Sequence, residues 1–277
     1  MGVVTNLLSG VYKKAANSVS NQYKCIGLNW FEARILKNQP LKTEYSCRFL
    51  NKRISYRSQI EFLHSVDEIY RKEIYKSDID PATQPYILDC GANIGLSVIY
   101  FRKTLPNSTV IAFEPDEVNF ALLTSNVNAQ ELSNVQCRKE AVWVHNNGVQ
   151  FEAENSMSSH ISLEAGAAGK KNRQVPSIRL RDELDRPVDL LKMDIEGAEY
   201  EVLKDIEVHL PLVKRIFIEY HGQFSENHKL EEMLSLLTSN QFNYYITEAN
   251  TVYKTPFYRD FKNASYDQQL NIFCFKN

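Results

Sequence analysis

The sequence predicts an α/β protein built on a mostly parallel seven-stranded sheet with helices on both faces, behind an α+β N-terminal extension. Three observations predict it. From residue 86 onward, short apolar runs alternate with stretches of helical periodicity, the pattern of a sheet covered on both faces. The first apolar run enters a glycine-containing turn, Asp89-Cys90-Gly91-Ala92-Asn93-Ile94-Gly95. The composition shifts near residue 80, where Asp78-Ile79-Asp80-Pro81 breaks the preceding pattern. Residues 1–80 are therefore read as an extension and 81–277 as the main domain.

In the extension, Tyr45 to Leu50 and Arg53 to Tyr56 read as a hairpin joined at Asn51-Lys52. Ile60, Phe62, Leu63, Val66, Ile69 and Tyr70 recur at helical spacing through residues 59–75. In the main domain the expected strands are 86–90, 109–113, 135–144, 188–193, 213–220, 244–247 and 270–275. Helices are expected over 94–105, 116–130, 230–237 and from about Ala198. Between the third and fourth strands, 151–154 and 177–180 read as extra strands. They flank a polar, glycine-containing stretch that includes His160, a natural place for a substrate-contacting loop.

Composition narrows the partners. The chain has 277 residues, 43% hydrophobic and 24% charged, with a formal net charge of -2. That balance argues against a broad nucleic-acid-binding surface, though not against a local basic patch, and no nucleic-acid partner is expected. Five cysteines lie scattered without metal-like spacing, which fits a reducing, cytoplasmic setting, and Cys90, Cys137 and Cys274, in apolar strand-like runs, read as buried thiols. No run is long enough to span a membrane. A homo-oligomer is compatible with the composition.

The turn carries the first functional signal. In a doubly wound sheet, ligands sit beyond the carboxyl ends of the strands. Gly91 and Gly95 permit a tight turn and close approach of a ligand. A pyrophosphate-binding turn has a middle glycine; here Asn93 replaces it, and Asp89 places an acid beside the turn. The acid repels pyrophosphate and suits the ammonium of an amino-acid moiety, which favours S-adenosylmethionine over a nicotinamide cofactor. Glu114 ends the second strand 25 residues after Asp89, where a carboxylate can accept from both ribose hydroxyls. At the end of the third strand, Glu140 and the backbone of Ala141 and Val142 are candidates for the adenine.

A second motif follows the fourth strand: Lys192-Met193-Asp194-Ile195-Glu196-Gly197-Ala198-Glu199. With the Asp89 to Ser97 run and Phe113-Glu114-Pro115-Asp116, it closely resembles the FkbM-type methyltransferase family over roughly residues 86–221. The resemblance implies a class I, Rossmann-like, S-adenosylmethionine-dependent fold. It also implies O-methylation of hydroxyls on sugars, glycans or other natural products. Asp89, Gly91, Asn93, Gly95 and Glu114 would contact the cofactor, with Pro115 in the same motif. A hydroxyl is a poor nucleophile at neutral pH and needs a base or a metal. Asp194, at a strand end, is the first candidate. Glu219 and His221 alternate along the fifth strand and can point the same way, as a base or, with Asp194, as a divalent-metal site that the sequence does not require. Glu196 and His160 are candidates for the acceptor, a small molecule or glycan. Glu199 reads as structural.

Overall fold

A computed structural model describes residues 23–40, 43–152, 160–161, 172–258 and 265–276. The chain divides into two compact units, Met1–Lys76 and Ser77–Asn277. In the first unit, helix α1 (Trp30–Lys37) starts with a capping box between Asn29 and Glu32. Strands β1 (Tyr45–Phe49) and β2 (Lys52–Tyr56) pair antiparallel. Their turn is Leu50-Asn51, both residues in left-handed φ (49° and 68°), which suits the twist of a two-residue hairpin. The expected turn is therefore one residue too late, because Lys52 pairs with Phe49.

Helix α2 (Gln59–Val66), capped by Ser58, runs into a π-turn over Asp67–Arg71, so the expected 59–75 helix is not uniform. Ile60 is 82% exposed. It lies about 200° around the helix from buried Phe62. An aromatic core closes this unit: Tyr56 stacks on Phe62 at 4.2 Å and on Tyr45 at 5.5 Å, and Phe49 meets Tyr70 edge-on at 5.0 Å.

The second unit begins with β3 (Tyr86–Cys90), α3 (Leu96–Thr104), β4 (Thr109–Phe113), α4 (Glu117–Ala129) and β5 (Val135–Arg138). Next come the short strands β6 (Ala141–Trp143), β7 (Val149–Glu152), β8 (His160–Ile161), β9 (Asn172–Val175) and β10 (Ser177–Arg179). It finishes with β11 (Leu190–Met193), α5 (Glu199–Asp205), β12 (Arg215–Gly222), α6 (Asn227–Ser239), β13 (Asn243–Glu248) and β14 (Gln268–Phe275). Seven strands form one sheet in the order β13-β14-β12-β11-β3-β4-β5. Only the β14 pairings are antiparallel. This is the expected class I, Rossmann-like sheet.

The chain steps outward from β3 to β4 and β5, then restarts on the other side of β3 with β11 and β12. Right-handed crossovers therefore put α3 and α4 on one face and α5 on the other. One face packs Leu88, Ile111, Leu191, Met193 and Ile218 against Val202 and Leu203 of α5 and Met233 and Leu237 of α6. The alternate residues Ile87, Asp89, Lys192 and Phe217 turn to the opposite face. The reversal in strand order opens the sheet between the carboxyl ends of β3 and β11.

The expected third strand is broken. β5 stays in the main sheet, whereas β6 pairs in parallel with β10 in a separate two-stranded sheet. The charged Arg138-Lys139-Glu140 segment intervenes, with Arg138 bound to Glu140 at 2.6 Å and to Glu183 at 2.7 Å. The predicted extra strands form β7, which pairs with β8 and β9, and β10. No helix among the described residues is long and apolar enough to cross a membrane.

Candidate active site

The loop after β3 is shaped by left-handed residues: Gly91 at φ 82°, Asn93 at 48° and Gly95 at 91°. A Cβ on Gly91 would land on the carbonyl oxygen of Asp194, so this glycine lets the β3 and β11 loops touch. A Cβ on Gly95 would press on the Leu123 side chain of α4. Both glycines thus serve packing within the protein before any ligand arrives. The N–H groups of Gly91 and Ala92 donate to the Phe113 carbonyl at 3.0 and 2.9 Å, and Asn126 holds the Ile94 carbonyl at 2.9 Å. The turn is therefore pinned to the end of β4 and to α4.

Glu114 is buried beside it. Its two carboxylate oxygens accept from the Asn93 and Asp116 N–H groups, each at 2.8 Å. Burial raises its pKa to about 7, against the lowering effect of those two bonds. A carboxylate offers roughly four acceptor positions. Two remain for hydroxyl donors, which fits the ribose of a nucleoside. The adjoining Pro115 leads to Asp116, which caps α4 by accepting from Val118 and Asn119.

The raised Glu114 pKa has a measurable consequence. A carboxyl whose folded pKa lies above its unfolded value contributes stability below the unfolded pKa, and that contribution is lost as pH rises through the folded pKa. Relative to wild type, Glu114→Gln should gain roughly 2–3 kcal/mol of stability between pH 4 and pH 8. Denaturant unfolding of ligand-free protein at both pH values checks it; a pH-independent difference would show that Glu114 is not held up by burial.

Asp89 occupies a different place from the one the sequence suggests. It is fully buried, with Oδ2 accepting from Ser97 Oγ at 2.5 Å and Oδ1 lying 3.2 Å from Lys192 Nζ. The expected contact with an amino-acid ammonium has no exposed surface to act through; in this arrangement Asp89 braces the turn from beneath. Lys192, also buried, donates to the Gly91 carbonyl at 2.9 Å and lies 3.5 Å from Asp194 Oδ2. One ammonium thus ties the β3 loop to the β11 loop. An ionisable residue inside the apolar strand Leu190-Leu191-Lys192-Met193 was the sequence signal for this role.

The β11 loop is equally constrained. Glu196 and Gly197 have φ of 55° and 98°. Glu199 is buried and accepts from the Ile195 N–H at 3.0 Å and the Gly197 N–H at 3.0–3.1 Å, the structural part the sequence assigns to it. Glu199 Oε1 also lies 3.3 Å from His221 Nδ1. The other imidazole nitrogen faces Glu196 at 3.5 Å and Glu219 at 3.7 Å.

Burial alone would push the His221 pKa down. The Glu199 bond and the charges of Glu199, Glu196 and Asp194 reverse that and raise it to about 10. Burial, opposed by His221 and reinforced by Asp194 and Glu199, pushes Glu196 up as well. Tyr266 packs against this cluster, its ring 4.8 Å from His221 and its hydroxyl donating to the Glu196 carbonyl at 2.8 Å; no motif pointed to it.

The structure brings Asp194, Glu196, Glu219 and His221 together, as the alternation along β12 suggests. It does not give Ala141 a free N–H: that group donates to the Pro176 carbonyl at 2.9 Å, because β6 pairs with β10. Glu140 is bound by Arg138. The adenine contacts expected there lose the Ala141 donor. The side chain of His160 lies outside the described residues, as does most of the polar stretch around it.

Comparison with known proteins agrees with this geometry. Residues 89–244, more than half of the chain, match the family described as the Methyltransferase FkbM domain. Methyltransferase 1 of Beauveria bassiana is 27% identical over 189 residues, covering 58% of this chain and 73% of that protein. Methyltransferase sdnD of Sordaria araneosa is 29% identical over 204 residues, covering 60% and 78%. Among solved structures, the FkbM methyltransferase of Methylobacillus flagellatus aligns over 68% of this chain and 43% of its own, at a TM-score of 0.46 and 16% identity. The matched span runs through the turn at Gly91, the carboxylate at Glu114 and the acidic loop at Asp194, and the chain belongs to the FkbM methyltransferase family.

Proposed function

We propose that this chain transfers a methyl group from S-adenosylmethionine to a hydroxyl of a sugar, glycan or other natural-product acceptor. The observation that carries the reading is the meeting of two loops at the switch point of the sheet. The Gly91 turn and Glu114 lie on one side and Asp194 on the other, bridged by Lys192 at 2.9 and 3.5 Å. When bound, S-adenosylmethionine supplies an electrophilic sulfonium methyl group.

The remaining work belongs to the chain. Glu114 accepts from the ribose hydroxyls, and the Gly91–Gly95 turn shapes the donor's seat. Asp194, partly exposed at the strand end, receives the proton of the acceptor hydroxyl. His221, held by Glu199 at 3.3 Å, orients the carboxylates around it. Proton removal by a positioned base contributes about 10²–10⁴-fold to such a step.

Calorimetric titration with S-adenosylhomocysteine tests the donor half. Binding in the micromolar range is expected, weakened about 10–100-fold in Glu114→Gln, the worth of a charge-assisted hydrogen bond. No binding to pure, folded protein sinks the reading. Labelled S-adenosylmethionine offered with nucleotide sugars, glycan fragments and hydroxylated natural products tests the acceptor half. Transfer to nitrogen or carbon acceptors alone would overturn the O-methylation.

A further inference from the structure

The acceptor end of the site gathers more carboxylates than removal of one proton requires. Asp194, Glu219 and His221 come from the ends of the neighbouring strands β11 and β12. Each places a ligand-capable atom within 4.8 Å of the others. His221 is gripped from behind: Nδ1 lies 3.3 Å from Glu199, itself fully buried and fixed by two backbone N–H groups. Nε2 faces Glu196 at 3.5 Å and Glu219 at 3.7 Å. A buried carboxylate behind an imidazole, with the far nitrogen turned toward further ligands, is how metal-bound histidines are oriented.

A second observation is independent of that cluster. Asn271 lies directly across from Glu219 in the β12–β14 ladder and on the same face of the sheet. It is 4% exposed, and its Oδ1 has no hydrogen-bond partner among the described residues. A buried amide oxygen left unbonded costs free energy unless something that is not protein satisfies it. The charge balance points the same way: Asp194, Glu196, Glu199 and Glu219 surround His221, with Lys192 beyond Asp194.

We propose that Asp194, Glu219 and His221 bind one divalent cation of the Mg²⁺ or Mn²⁺ class, with the Asn271 amide oxygen as a further donor. Carboxylate and amide oxygens suit these hard cations, and the imidazole favours Mn²⁺ of the two. Three or four protein donors leave positions of an octahedral ion for water or for an acceptor oxygen. An acceptor hydroxyl held there is more acidic than in water. This last use rests on the methyl-transfer reading; the cation site does not.

The test is a Mn²⁺ titration of the full chain, read by electron paramagnetic resonance. Wild type is compared with Asp194→Asn, Glu219→Gln, Asn271→Ala and the surface control Glu232→Gln. One saturable site is expected, with a Kd on the order of 10–100 µM. It should weaken about tenfold or more in the first three variants and stay unchanged in the control. S-adenosylhomocysteine binding, measured on the same samples, reports that each variant is folded. No saturable Mn²⁺ binding in wild type, or equal affinity in all variants, overturns the proposal. If S-adenosylhomocysteine binds and Mn²⁺ does not, the cation site falls while the methyl-transfer reading stands. If Mn²⁺ binds and S-adenosylhomocysteine does not, the reverse holds.

Discussion

Asp194→Asn should lose about 10²–10⁴-fold in turnover while S-adenosylhomocysteine affinity changes by no more than about threefold. The amide keeps the shape of the side chain but cannot take a proton and is a poorer partner for a cation. Asp194 is partly exposed at the end of β11, and its Oδ2 lies 3.5 Å from Lys192. The residues proposed to seat the donor are held elsewhere: the Gly91 N–H donates to Phe113 of β4 and the Asn93 N–H to Glu114, not to the Asp194 side chain. Binding of the donor and activation of the acceptor are therefore separable in this site. Single-turnover rates with labelled donor, alongside calorimetry, check the split. A variant that retains near-full turnover would remove Asp194 from the chemistry, and one that loses donor binding in parallel would move it to the donor's seat.

Lys192→Met should be the most damaging single change to stability. Lys192 and Asp89 are 2% and 0% exposed and lie 3.2 Å apart. Taking away the ammonium leaves a buried carboxylate whose remaining side-chain partner among the described residues is Ser97. Breaking such a pair typically costs about 3–5 kcal/mol, whereas replacing both partners costs far less. Lys192→Met should therefore lose about that much. The double variant Asp89→Asn/Lys192→Met should recover a large part of the loss, because no uncompensated charge remains. Guanidinium unfolding of the four members of the cycle measures the coupling directly. If Lys192→Met unfolds within about 1 kcal/mol of wild type, the ammonium is not what holds the two loops together.

Much of this molecule was legible before any coordinates. Strand and helix periodicity located six of the seven strands of the main sheet to within two residues at each end, and Asp116 marked the start of α4. The glycine turn, the carboxylate closing β4 and the acidic loop after β11 identified the family. The 135–144 strand breaks because a charged segment and pairing with β10, some 36 residues away, outweigh local β-propensity. The hairpin turn shifts because Lys52 pairs with Phe49, which leaves Leu50 and Asn51 as the two turn residues in left-handed φ.

The sequence by itself determined the order of strands and helices, the turn chemistry at Gly91 and Gly197, and the residue types at the strand ends. All are set by neighbours within a few positions, through backbone sterics and side-chain periodicity. The tertiary structure alone decided which of those residues meet. Lys192 reaches the Gly91 carbonyl across 101 positions only because the sheet places β11 beside β3. That juxtaposition turned Asp89 from a surface ligand into a buried brace, made Gly91 the contact between two loops, and set His221 against Glu199 instead of leaving it a free base. Strand order follows from crossover direction and burial of both sheet faces, which are properties of the whole chain.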